Sequence, residues 1–134
     1  MIMPILTALM APLALQAATT QPHAQAPAKP QSLADVPITE STAPRCGIAF
    51  AMVDGWQSAG DPRGNPWPNI ANAGGREFFV VAMARLIDSQ GLEREDISRL
   101  VDVEVARHRA DNGEAIAAMM PACISLLETS GIQG

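Results

Sequence analysis

A chain of 134 residues with 14 acidic and 9 basic side chains, and a formal net charge of −5, has the length of one domain and lacks a cationic surface. Nucleic-acid affinity comes mainly from clustered Lys and Arg that release counterions, so nucleic acid is not an expected partner. The lack of tyrosine and an aromatic content of 4% also remove most of the stacking platforms on which bases and sugars are held.

Residues 1–17 are expected to be a signal peptide. Met1 to Leu15 reads MIMPILTALMAPLAL, with no charged side chain, and small residues follow at Ala17 and Ala18. An apolar run closed by small residues is the pattern of secretory export, with cleavage after Ala17 or Ala18. Pro4 and Pro12 interrupt the run, and it is shorter than the roughly 20 residues that span a bilayer. No permanent membrane span is therefore expected once the signal is cleaved, and the expected location is periplasmic or secreted.

Residues 18–44 are rich in Gln, Ala, Thr and Pro, with Pro22, Pro27, Pro30, Pro37 and Pro44 and few large apolar side chains. Such a segment buries too little surface to offset the entropy of ordering it. It is expected to be a disordered linker leading into a folded domain over 45–134.

The apolar period in that domain is 3.6 without sustained alternation, which predicts an all-α fold. The first helix is expected over Cys46 to Ser58, with Cys46, Ala49, Phe50, Val53 and Trp56 on one stripe. The second runs from Gly75 to Gln90, where Gly91 ends it; its FFVVAMA core is apolar on nearly every side, the mark of a helix surrounded by neighbours. The third, Glu93 to Asp111, carries Ile97, Leu100, Val101, Glu104, Val105 and His108 at helical spacing. Glu93, Glu95 and Asp96 at its start and Arg107, His108 and Arg109 near its end complement the helix dipole on a solvated face.

Asp111 and Glu114 resemble a capping box opening the fourth helix. There Ile116, Met119, Met120, Cys123, Ile124 and Leu127 form a buried stripe, and Pro121 is expected to kink or split the helix. Short joints at Gly91 and Asn112–Gly113 favour antiparallel neighbours, hence a small up-and-down four-helix bundle.

The two cysteines, Cys46 and Cys123, lack the neighbouring ligands of a metal site, since the only histidines are His23 and His108. Cys123 also sits in the most apolar stripe, the wrong setting for a reactive thiolate. A Cys46–Cys123 disulfide remains: antiparallel first and last helices bring the two within bonding range, and an exported chain meets the oxidising conditions that preserve it.

No metal, cofactor or catalytic residue is expected. G-x-S-x-G, H-E-x-x-H and a glycine-rich phosphate loop are all absent from the sequence. Met52 and His108 form a conceivable haem-ligand pair, but the C-x-x-C-H attachment motif is missing, and such residues more often serve as core filler and helix-end partner.

One segment breaks the economy of the bundle. Gly60 to Gly75, GDPRGNPWPNIANAGG, is a connection of about fifteen residues, and loops of this length tend to carry function. Trp67 between Pro66 and Pro68 is a stiff aromatic suited to a partner contact, or alternatively a lid folded on the bundle. The expected function is that of an exported helical binding or scaffolding protein with an unknown protein partner. The alternatives are a periplasmic carrier of an apolar ligand held around Met83, Met119 and Met120, and a membrane-tethered accessory subunit.

Overall fold

A computed structural model describes residues 27–132 together with Pro22. The expected signal peptide at 1–17, the early linker apart from Pro22, and His23 lie outside the described residues. Four helices are present: α1 (Ile38–Ser58), α2 (Gly75–Gln90), α3 (Arg94–Ala110) and α4 (Glu114–Thr129), with no strand among the described residues.

Order begins well before residue 45. Ser32 Oγ accepts the N–H of Ala34 at 3.2 Å, and Asp35 Oδ2 accepts the N–H groups of Gln31 and Ser32, both at 3.0 Å. This reciprocal cap fixes a single 3-10 turn at Leu33–Asp35. Leu33 and Val36 are thereby turned into the core, and α1 starts right behind Pro37. The disordered linker expected over 18–44 is corrected accordingly: residues 27–44 belong to the fold. Its prolines do not oppose this order. Pro37 stands at the N-cap of α1, where no intrahelical donor is needed, and Pro44 lies buried inside the helix at the cost of one backbone hydrogen bond.

The helix directions follow from side-chain contacts. Phe50 and Phe78 meet edge to face with ring centres 5.4 Å apart, and Gln90 Nε2 donates to Glu40 Oε2 at 2.7 Å, so α2 runs antiparallel to α1. Arg45 faces Glu104 at 3.9 Å, while Met52 and Trp56 face His108, so α3 runs alongside α1 in the same sense. Cys46 and Cys123 form the disulfide with Cα atoms 5.2 Å apart. At the other end of the same helix pair Gly113 lies under Trp56, where an added Cβ would fall 2.5 Å from Cη2; with φ at +79°, only glycine suits this joint. So α4 is antiparallel to α1, and the up-and-down order holds with α1 packed against each of the other three helices.

Two apolar clusters make up the core. One surrounds the disulfide and contains Phe50, Val53, Ile70, Phe78, Ile116, Met120 and Leu127. The other joins the N-terminal arm to α2 and α3 through Leu33, Val36, Ile48, Met83, Leu86 and Leu100. No described helix is long and apolar enough to cross a membrane.

Three local expectations change. α2 is not enclosed: it packs on α1 and leaves Val80 57% exposed. α4 is not split at Pro121 but runs continuously through it. Pro121 and Ala117 both lie on the solvent side, where water can satisfy the carbonyl that loses its intrahelical donor. At the start of α4 the N-cap is Gly113, and Asp111 reaches forward from the preceding turn to accept the N–H groups of Gly113 at 2.9 Å and Ala115 at 3.1 Å.

Candidate functional site

A groove of about 410 Å³ lies between α1 and α3, within the range of small-molecule sites. Met52 and Trp56, four residues apart, form its α1 wall. Val105, His108 and Arg109, spaced by three and four, form the α3 wall. Ala51 and Gly55 complete the α1 side, and Arg63 closes the mouth.

Arg63 reaches the groove through local turn chemistry. Asp61 caps a 3-10 turn at Pro62–Gly64 by accepting the Arg63 N–H at 2.9 Å, and its carboxylate also binds the Arg63 side chain, Nε to Oδ1 at 3.0 Å. That pairing holds the Asp61 carboxyl down at about 2 and raises Arg63. The guanidinium carbon lies 4.6 Å from the centre of the Trp56 ring, and Nη1 donates to Asn112 Oδ1 at 3.0 Å in the α3–α4 joint. One arginine thus ties the long loop, α1 and the α3–α4 joint together.

Behind the groove is a buried polar group of residues. Glu104 is 3% exposed, pairs with Arg107 and faces Arg45 at 3.9 Å. His108 is fully buried, with Nε2 3.3 Å from Glu104 Oε1 but out of hydrogen-bond alignment. Neither ring nitrogen has a hydrogen-bond partner among the described residues. Most buried polar side chains in folded proteins are hydrogen-bonded, so a fully buried imidazole whose nearest polar neighbour is the Glu104 carboxylate, 3.3 Å from Nε2 and misaligned, stands out. The solvated dipole complement expected for His108 is corrected by this burial: the ring turns inward because position 108 continues the Leu100 and Glu104 face of α3.

The acidic start of α3 has a separate task. Asp96 accepts Lys29 Nζ at 2.7 Å, Arg99 Nη2 at 2.9 Å and the Glu93 N–H at 2.9 Å. These contacts hold its carboxyl well below the ordinary carboxylate range and raise Lys29. Asp96 is an anchor for the N-terminal arm rather than part of a solvated face.

The long loop is organised by one amide. Gln57 Nε2 donates to the carbonyls of Gly64 at 3.2 Å, Trp67 at 3.2 Å and Pro68 at 2.8 Å, while Oε1 accepts the Ile70 N–H at 3.1 Å. Gly64 is required by this clamp, since an added Cβ would lie 2.8 Å from Gln57 Cγ and 2.9 Å from its backbone nitrogen. Trp67 is half-buried against the disulfide cluster, with Pro66 and Pro68 exposed on either side. Of the three methionines proposed to line one apolar site, Met120 is buried in the disulfide cluster with Met119 at its edge, while Met83 lies in the arm cluster. The structure does not bring Met83 together with the other two. It does bring Met52 and His108 to one groove.

Trp56, Arg63 and Arg109 were not singled out from the sequence as site residues. The available signals were the Asp-Pro-Arg-Gly turn and a histidine continuing an apolar helical stripe. No protein-family model, curated protein or solved structure matches this chain.

Proposed function

We propose that the chain is an exported binding protein whose disulfide-tied bundle presents the α1–α3 groove as a site for a small molecule. His108 carries this reading: the residue lines the groove, and its imidazole, fully buried just beneath, lacks a hydrogen-bond partner at either nitrogen among the described residues. A ligand group that reaches it as the covering side chains shift offsets a desolvation cost that the free protein otherwise bears. The walls supply apolar contact through Met52, Trp56 and Val105. No hydroxyl or thiol is among the residues lining the groove, which favours binding over acyl-transfer chemistry. The Cys46–Cys123 bond supports export, because such bonds persist mainly in oxidising compartments.

The test is a fragment screen by amide and indole NMR on the disulfide-intact chain. A subset of fragments is expected to shift the Trp56 indole N–H and the Gly55 amide. Gly55→Leu, which fills the groove from a helix position where an added Cβ meets nothing within 4 Å, is expected to abolish those shifts. No fragment acting there, or shifts that survive Gly55→Leu, would overturn the reading. Export is checked by osmotic-shock release with alkylation before lysis: a released chain with no alkylated thiol supports it, and a retained, doubly alkylated chain contradicts it.

A further inference from the structure

The charges around the groove specify the ligand class. Of the chain's nine Lys and Arg residues, Arg63 and Arg109 line the groove and Arg45 and Arg107 stand behind it on Glu104. Three carboxylates stand near these four cations, a surplus of one positive charge: Asp61 takes Arg63, Glu104 takes Arg107 and faces Arg45, and Asp111 lies in the α3–α4 joint. The nearby Asp111 carboxylate is engaged by two backbone N–H groups at the start of α4. Arg109 forms no ion pair among the described residues. A chain of net charge −5 therefore carries a cationic surplus at its one groove with a buried imidazole free of hydrogen bonds among the described residues.

Building on the binding reading above, we infer that the groove takes a small organic anion: a carboxylate or sulfonate on an aromatic or branched apolar body. The anionic group meets the Arg109 guanidinium at the mouth, where a planar fork pairs with two oxygens at once. The apolar body lies along Met52 and Val105 and against Trp56, the opposite approach to that ring being held by Arg63. A polar atom of the body bonds His108 once the side chains covering the ring move aside. The groove of about 410 Å³ has room for a body of two or three rings.

Two fluorescent probes of nearly the same shape separate charge from apolar contact: 8-anilino-1-naphthalenesulfonate, which is anionic, and N-phenyl-1-naphthylamine, which is not. Each is titrated into the disulfide-intact chain and into Arg109→Gln, Gly55→Leu and the control Arg85→Gln, an exposed α2 arginine outside the groove, with thermal melts confirming that all four fold. The anionic probe is expected to bind at least tenfold more tightly than the neutral one. Arg109→Gln should weaken the anion fivefold or more and leave the neutral probe unchanged, Gly55→Leu should abolish both, and Arg85→Gln should affect neither. Equal affinity for the two probes, with both still lost in Gly55→Leu, would overturn the anion assignment while leaving a groove that binds. Binding that survives Gly55→Leu, or none at all, would overturn both.

Discussion

Gln57 Oε1 accepts the backbone N–H of Ile70 at 3.1 Å while the other end of the same amide holds three loop carbonyls. Ile70 is 1% exposed, so the clamp both orders the loop and seats an apolar plug in the disulfide cluster. Gln57→Ala removes all four bonds and leaves a part-buried N–H without a partner, a loss of about 2–3 kcal/mol. Gln57→Glu retains the acceptor but turns an anion toward three carbonyls, and should cost about as much. Urea unfolding of both variants checks this; a loss in Gln57→Ala alone would show that the acceptor for Ile70 is the bond that matters.

The Cys46–Cys123 bond closes a loop with a sequence separation of 77. In the chain-entropy account a loop of that length contributes about 4–5 kcal/mol. The double substitution Cys46→Ala, Cys123→Ala is expected to lower the unfolding free energy by roughly that amount. The wild-type chain should fall to the same value when measured in reductant. Equal stability with and without reductant would contradict the role given to the bond.

Two glycines of α1 should respond with opposite signs to alanine. A Cβ on Gly55 meets nothing within 4 Å, so Gly55→Ala gains about 1 kcal/mol of helix propensity. At Gly47 the Cβ would lie 3.1 Å from the Phe79 Cα, which is backbone of α2 and yields little. Gly47→Ala should therefore destabilise by about 1–3 kcal/mol through overpacking. Thermal melts of the pair decide the matter.

Acid should release the N-terminal arm. The Asp96 carboxyl is depressed in the folded state by Lys29, the Glu93 N–H and Arg99, from an unfolded value near 3.8. A depressed carboxyl stabilises the fold above its unfolded pKa, and the contribution is lost as pH falls from there through the lower folded value. Asp61 adds to the same loss between 3.8 and about 2. Lys29, being raised from 10.5, loses its contribution only above that pH. Unfolding between pH 2 and 6 should show a decline that flattens in Asp96→Asn, with hydrogen exchange at Leu33 and Val36 rising first. An identical acid profile in that variant would refute the anchor.

The sequence made the helical class, the second and third helices to within about a residue, and the disulfide legible, because each rests on a strong local pattern: a 3.6 period, a left-handed glycine stop and a two-cysteine count. The start of α1 was hidden by the prolines. Pro27, Pro30, Pro37 and Pro44 mark 27–44 as extended by composition, whereas its order comes from a four-residue cap at Ser32–Asp35 and two aliphatic side chains that find their pocket only in three dimensions. The groove was illegible for a related reason. Its residues come from α1, α3 and a loop, and the interest of His108 lies in burial and in what surrounds it, neither of which its place in the sequence displays.

His108 is the polar floor of the groove, and its nitrogens report occupancy most directly. The chain has two histidines, so a specifically 15N-histidine-labelled sample gives His108 alongside His23 as an internal control. Saturation with the tightest fragment should shift the His108 nitrogen resonances by several ppm and leave those of His23 in place. Saturating binding that leaves His108 unmoved would contradict the account.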